Sequence, residues 1–170
     1  SLPTRRSSDL DPLEGSGFML KISLEEIDQV KSALEAAGGE PVNENVFDAM
    51  RIESLVPRLR HELTGDYIPL ETGLWDDVSF NKGCYTGQEI IARLESRGKV
   101  AKKLVRFDIE SGDALPVGTD ILADGKSAGT ITTSVGNRAM GYVKSAALEK
   151  EIALSANGGA IWPDFEDRKS

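Results

Sequence analysis

The sequence predicts an α+β protein in three parts: an α/β piece, a motif-bearing connection, and a small antiparallel barrel or sandwich. Three observations carry this expectation. Apolar residues recur at helical spacing from Leu24 to Ala37. The run Lys82-Gly83-Cys84-Tyr85-Thr86-Gly87-Gln88-Glu89 joins a glycine-bracketed cysteine to a second helical pattern. From about Lys99 the texture changes to short alternating strands separated by turn residues.

Taken in order, residues 1–10 show no apolar period and no signal-peptide core. They resemble the conceptual translation of a short-read sequencing adapter rather than a natural basic, Ser-rich linker. On that reading the chain is expected to be the C-terminal part of a longer protein. Residues 17–22 read as a short strand. Ser23 then stands where an N-cap should, with Glu26 three residues on, a capping box. Leu24, Ile27, Val30, Leu34 and Ala37 follow on one helical face, Glu25, Asp28, Lys31 and Glu35 lie outward, and Gly38-Gly39 ends the helix. Such a helix is expected to cover a sheet. Residues 46–52 form a second, shorter helical or mixed segment after Pro41. Residues 57–71 are irregular, broken by Gly65-Asp66 and Pro69, and a loop of this length is usually functional or disordered.

The helix after the motif is expected to run through Glu95. Strands follow at residues 104–109, 121–123, 127–134, 139–143 and 151–154, with Asp124-Gly125 as a two-residue hairpin turn. Residues 164–170 read as a frayed polar tail. One strand and two helices cannot bury both faces of a sheet, so the α/β piece is too short to stand as a good domain.

Composition narrows the functions. With 170 residues, 39% hydrophobic, the chain can bury the core of one or two small domains. No run approaches the roughly 18 apolar residues of a membrane span, and a net charge of -8 argues against nucleic acid binding over the whole surface. One cysteine excludes an internal disulfide and a cysteine-only metal centre, and it suits a reducing, cytoplasmic setting. The single His61 reads as a lone surface or core residue rather than a metal ligand.

The chemistry concentrates at Cys84. A thiol just ahead of a helix start and two residues after Lys82 has two reasons to ionise more readily than a free cysteine. Gly83 and Gly87 allow backbone angles or close approaches that a side chain forbids. A tight loop holding an incidental buried cysteine fits the same spacing. Glu53 and Glu71 are carboxylates that could accept paired hydrogen bonds from a planar donor edge. Pairing of Glu53 with Arg51 or Arg58 would need no ligand and is the simpler reading of those residues. Arg93, Arg97, Lys99, Lys102, Lys103 and Arg106 form a basic cluster in an acidic chain, able to meet anions or simply to balance acidic neighbours. It lacks the interleaved aromatics of single-strand binders. Cys84 with His61 shows no oxyanion feature, and the glycines make no phosphate loop.

The octapeptide from Lys82 to Glu89 resembles the signature of the YgfZ/GcvT-type folate-binding proteins. These are relatives of the glycine-cleavage aminomethyltransferase that serve iron-sulfur cluster assembly or repair and include the tRNA-modifying YgfZ proteins. Arg51-Ile52-Glu53, Pro69-Leu70-Glu71-Thr72-Gly73-Leu74, the crossover from Arg93 to Leu104, and Gly129-Thr130-Ile131-Thr132-Thr133-Ser134 match in the same order. The resemblance implies a truncated, ferredoxin-like α/β portion of a GcvT-like folate-binding fold in residues 11–96, a β-barrel in residues 97–163, and a tail. It implies tetrahydrofolate as ligand, with Glu53 at the pterin edge and Arg51 beside it; Arg97 and Lys99 are our candidates for the glutamate tail. The functional motif would be Lys82, Gly83, Cys84, Tyr85, Gly87, Gln88 and Glu89, with no catalytic residue and no resident metal, Cys84 serving as an iron-sulfur contact. Expected partners are iron-sulfur client or assembly proteins, with no direct nucleic acid and no membrane. A folate-dependent aminomethyltransferase and an inactive fragment are the alternatives. The sequence departs from the family at Leu55, where a glycine is usual, and across residues 58–66, which lack a tyrosine-glycine pair.

Overall fold

The computed structural model describes residues 20–80, 83 and 87–164. They fall into two units, Ser1–Val56 and Pro57–Ser170.

The first unit is helical. The Glu26 carboxylate accepts from the Ser23 hydroxyl at 2.7 Å and from the Ser23 N–H at 3.4 Å, so the capping-box pair meets as expected. A 3-10 turn, Leu24–Glu26, leads into α1, Ile27–Ala36. The helix ends in a Schellman motif: Gly38 has φ +92°, its N–H donates to Glu35, and the Gly39 N–H donates to Leu34. Helix α2, Glu44–Glu53, is capped by the Asn43 side chain, which accepts from the Val46 N–H at 3.0 Å. It ends by the same device. Leu55 takes φ +50°, its N–H donates to Ile52, and the Val56 N–H donates to Arg51 at 2.8 Å.

Two expectations fail in this unit. Residues 20–22 form no strand, and residues 17–19 lie outside the described residues. A strand needs a ladder partner, and none is present among the described residues of the unit. For the same reason α1 covers no sheet; none of its residues is buried, and Leu24, Ile27 and Leu34 stay exposed.

The second unit holds helix α3, Gln88–Arg97, and six strands: β1, Lys102–Ile109; β2, Asp120–Ala123; β3, Lys126–Val135; β4, Arg138–Lys144; β5, Leu154–Ala156; and β6, Gly159–Asp164. A short helix α4, Ser145–Glu149, follows β4. The strands close into an antiparallel barrel in the order β1-β4-β3-β2-β5-β6, with β1 also pairing β6. Alternate residues point inward, and Phe107, Ile121, Ile131, Ala139 and Val143 fill the interior without solvent contact. Asp124-Gly125 makes the expected hairpin, with φ +49° and +72° at the two positions.

The last hairpin corrects the sequence reading. Residues 151–153 are not strand, because Glu151 turns the chain at φ +50°; β5 starts at Leu154 and turns through Asn157-Gly158 into β6. Asp164 is no part of a frayed tail. It closes β6 opposite Arg106 and ion-pairs with that guanidinium at 2.6 Å.

The outer face of β1, β4 and β3 is not left to water. Leu104, Met140, Tyr142 and Thr133 are all buried although they lie outside the barrel core. Residues 57–74 supply the hydrogen-bond partners of this face, so the long irregular segment is an ordered second layer. Close strand approach is built in where Gly141 and Gly129 stand; a Cβ at either would run into the facing backbone carbonyl of Thr130 or Tyr142.

Candidate functional site

The motif is delivered by residues 57–80 on one side and α3 on the other. Glu62 pins the first of these to the barrel. It is fully buried, and its carboxylate accepts from the Thr133 hydroxyl at 2.6 Å and from the Arg58 N–H at 3.0 Å. Its carbonyl accepts from the Tyr142 phenol at 2.9 Å. Tyr67 stacks on Tyr142 with ring centroids 3.4 Å apart, and the Lys102 ammonium lies 4.9 Å from the Tyr67 centroid. Burial, reinforced by the Glu62 charge and then by Tyr67 and Glu71, pushes the Tyr142 phenol far above its ordinary value. Tyr67 is raised too, first by burial and then by Asp66 and Glu71.

Glu71 makes the second attachment. One carboxylate oxygen accepts from the Lys102 N–H at 3.1 Å, the other from the Ile68 N–H at 3.3 Å, and its carbonyl accepts from the Leu104 N–H at 2.9 Å. This carboxylate therefore serves the fold through backbone donors. Beside it, Leu70, Ile91 and Val100 form a small core against which Ile68, Val78, Phe80 and Leu94 pack. Gly87, at φ +89°, turns the chain directly into α3, which starts at Gln88 as the sequence pattern predicts. Gly83 and Gly87 are exposed, and a Cβ on either would meet open space, so only the φ of Gly87 calls for glycine. Gln88 is half-buried, and Glu89 is exposed in the first turn of α3. Lys82, Cys84 and Tyr85 lie outside the described residues.

The remaining sequence candidates separate. Glu53 is the exposed last residue of α2. Arg51 is buried; its guanidinium binds Asp48 Oδ1 through Nε at 2.9 Å and Nη2 at 2.8 Å, and Nη1 donates to the Val56 carbonyl at 2.8 Å. Its geometry braces the end of α2. Lys99 is exposed and pairs with Glu149 at 3.0 Å. The Arg93 and Arg97 side chains lie outside the described residues. Of the other cations, Arg106 is buried against Asp164, and Lys102 sits over Tyr67. Among the described residues the charge run therefore does not form one open surface, because strand alternation and burial send its members to different neighbours.

Sequence reasoning missed Glu62, Tyr67, Thr133 and Tyr142 as a unit. Thr133 lay within a quoted stretch, but its partner is 71 positions away. Among the described residues no group of three or more His, Cys, Asp or Glu could hold a metal ion, and no helix is long and apolar enough to cross a membrane.

Residues 102–164 match the family model described as the CAF17 C-terminal beta-barrel domain. A chloroplastic Arabidopsis thaliana protein described as a transferase is 33% identical over 141 residues, which are 79% of this chain and 32% of that one. The human mitochondrial iron-sulfur cluster assembly factor IBA57 is 33% identical over 102 residues, 56% of this chain and 29% of the relative. The tRNA-modifying protein YgfZ of Klebsiella pneumoniae is 35% identical over 86 residues, 49% of this chain and 26% of the relative. The chain thus spans about a third or less of these relatives. The crystal structure of the glycine cleavage aminomethyltransferase T of Bartonella henselae shares the fold, with a TM-score of 0.65 at 18% identity over 79% of this chain and 41% of that one. Residues 102–164 thus match a CAF17-type C-terminal β-barrel domain, and the chain is similar in sequence to IBA57 and YgfZ proteins and in fold to an aminomethyltransferase.

Proposed function

We propose that the protein is a tetrahydrofolate-binding accessory factor that supports iron-sulfur cluster assembly or repair in client enzymes, working through Cys84 without turnover of its own. The observation that carries this reading is the placement of α3. Gly87 turns straight into Gln88, so the Lys82-to-Glu89 motif runs into a helix N-terminus, which favours a thiolate ahead of it. A thiolate is the ligand that iron-sulfur chemistry uses. The similarity to a human iron-sulfur cluster assembly factor supports the same reading.

The folate assignment rests on fewer residues than the sequence offered. Glu53 fits, as an exposed carboxylate able to accept the amino edge of a pterin. Arg51 does not fit, since its guanidinium is buried on Asp48 and Val56. Lys99 fits as an exposed cation whose surface pair with Glu149 exchanges easily; Arg97 remains a candidate beside it in sequence. When bound, the folate would supply one-carbon or redox chemistry, while Glu53 would hold its pterin edge. Titration of the full-length protein with tetrahydrofolate tests the assignment. Saturable binding weakened by Glu53→Gln is expected, and equal binding by the variant would refute the role of Glu53.

The fold shared with an aminomethyltransferase favours a second reading, a folate-dependent one-carbon transferase. The Lys82-to-Glu89 motif resembles that of the accessory proteins, which is why we rank the transferase second. Formation of methylenetetrahydrofolate from an aminomethyl donor by the full-length protein would decide for it.

A further inference from the structure

Strand pairing gathers lysines at one end of the barrel, where β1 and β3 begin and β4 ends. Lys102 stands directly opposite Lys144, and the Lys144 ammonium donates across to the Ser127 carbonyl at 2.8 Å, next to Lys126. Helix α4 closes this end. Its Ala147 belongs to the barrel core, Leu148 and Ile152 pack against that core, and Lys150 directly follows the helix. Lys103, Lys126, Lys144 and Lys150 are all exposed. Among the described residues none of these four forms an ion pair, whereas Lys99 is held by Glu149 of α4. They come from separate segments, so no run in the sequence marks them.

Barrel packing does not call for this arrangement. Like charges directly opposite on antiparallel strands are unfavourable, and here the two ammoniums part, Lys102 to the Tyr67 ring and Lys144 to Ser127. In a chain of net charge -8, unpaired cations gathered at one end set a local field opposite in sign to the whole. The end is not uniformly positive. Asp120 accepts from the Ser127 hydroxyl at 3.3 Å, and Asp124, Glu149 and Glu151 are exposed beside the lysines.

We propose that this end of the barrel is a docking surface for another protein, one whose facing patch is acidic overall and carries cations of its own. The mixed signs select the class of partner. A nucleic acid backbone or an anionic lipid surface presents negative charge alone, which the interleaved carboxylates would meet. A protein patch can set a cation against each of them, and such complementarity fixes the orientation of approach. The cations are all lysines, point charges without the planar fork with which arginine grips phosphate through two bonds. Contacts of this kind give a fast, salt-sensitive encounter. The inference deepens the proposed function: it names the surface that would meet a client, and it rests on that reading for the client's identity.

The test uses the full-length protein at low salt. Fluorescence anisotropy follows a short labelled peptide of Glu-Glu-Lys repeats and an RNA duplex of matching charge, and cosedimentation follows phosphatidylserine vesicles. The peptide should bind, and Lys126→Glu with Lys144→Glu should weaken it about tenfold. Lys103→Glu with Lys150→Glu should lose a similar factor, which keeps the proposal refutable if the first pair does not fold. Lys21→Glu with Lys31→Glu makes the same change in net charge at exposed positions of the helical unit and should bind as the parent does. Salt at about 0.15 M, where charges are screened beyond about 8 Å, should remove most of the binding. No peptide binding at low salt, or an equal loss in the Lys21 and Lys31 variant, would overturn the proposal. So would tighter binding of the duplex or the vesicles, or light scattering that shows self-association abolished by the Lys126 and Lys144 changes. Those results would assign the surface to a nucleic acid, a membrane or a second copy. The functional reading fails separately, because peptide binding involves neither Cys84 nor folate. Normal client activity after Cys84→Ala would sink that reading and leave the docking surface standing.

Discussion

Thr133→Val isolates the strongest attachment between the irregular layer and the barrel. Valine keeps the branched shape of threonine and removes only the hydroxyl. That hydroxyl donates to Glu62 Oε1 at 2.6 Å, and both residues are buried, Glu62 at 0% and Thr133 at 4% exposure. A hydrogen bond to a charged group contributes about 1.5–3 kcal/mol. A loss of about 2 kcal/mol corresponds to a fall of roughly 4–8 °C in thermal midpoint for a protein of this size. Thr133→Ser, which keeps the hydroxyl, should cost about 1 kcal/mol or less. Urea unfolding followed by tryptophan fluorescence is the assay, because both tryptophans, Trp75 and Trp162, belong to the second unit. In a double-mutant cycle with Glu62→Gln the coupling should reach about 1 kcal/mol or more. A loss below about 0.5 kcal/mol for Thr133→Val would refute the claim that this contact holds the layer in place.

Three further outcomes follow from the same geometry. Gly141→Ala and Gly129→Ala place a methyl group against a facing strand carbonyl and should cost about 3 kcal/mol or more, seen as loss of the cooperative urea transition; a midpoint within error of the parent would contradict the close strand approach. Leu55→Gly removes about 1–2 kcal/mol of left-handed backbone cost, against about 0.5–1 kcal/mol of added chain entropy. A small net gain is expected, and a loss of about 1 kcal/mol or more would mean that the half-buried leucine side chain outweighs its backbone. The raised Tyr142 phenol makes stability pH-dependent in one direction. The stability from keeping it neutral is fully present below the ordinary tyrosine value of about 10 and is lost as pH rises from there toward the folded-state value. Alkaline unfolding should therefore begin above about pH 10 and shift upward in Tyr142→Phe, which has no proton to lose; an identical alkaline midpoint in the variant would exclude Tyr142 as the group responsible.

The parts of the fold written in local chemistry were legible. The Ser23–Glu26 pair, the Asp124-Gly125 turn and the start of α3 after Gly87 each depend on residues within a few positions of one another. The Asn157-Gly158 turn carried the same kind of signal, and reading it would have placed β5 and β6 correctly. The strand expected over residues 17–22 failed at residues 20–22 for want of a partner, which no local pattern supplies. Leu55 shows the limit from the other side. It stands where the family usually has glycine, and the backbone takes a left-handed angle with Schellman hydrogen bonds, leucine bearing the strain. Within the site, Arg51 looked like a ligand and is a brace, because Asp48 lies one helical turn before it. Glu62 drew no attention, because the groups that satisfy it come from strands far along the chain. Spacing can place a thiol ahead of a helix; it cannot say which buried carboxylates hold the approach to it.

The central claim is that Cys84, with Lys82 beside it in the motif, supports iron-sulfur enzymes. Its most direct test is the activity of a cluster-dependent enzyme in cells whose only copy of the full-length protein carries Cys84→Ala or Lys82→Ala, with protein levels matched to the parent. The account predicts a clear fall in that activity for both variants. Cluster-dependent activity equal to the parent in both would contradict it.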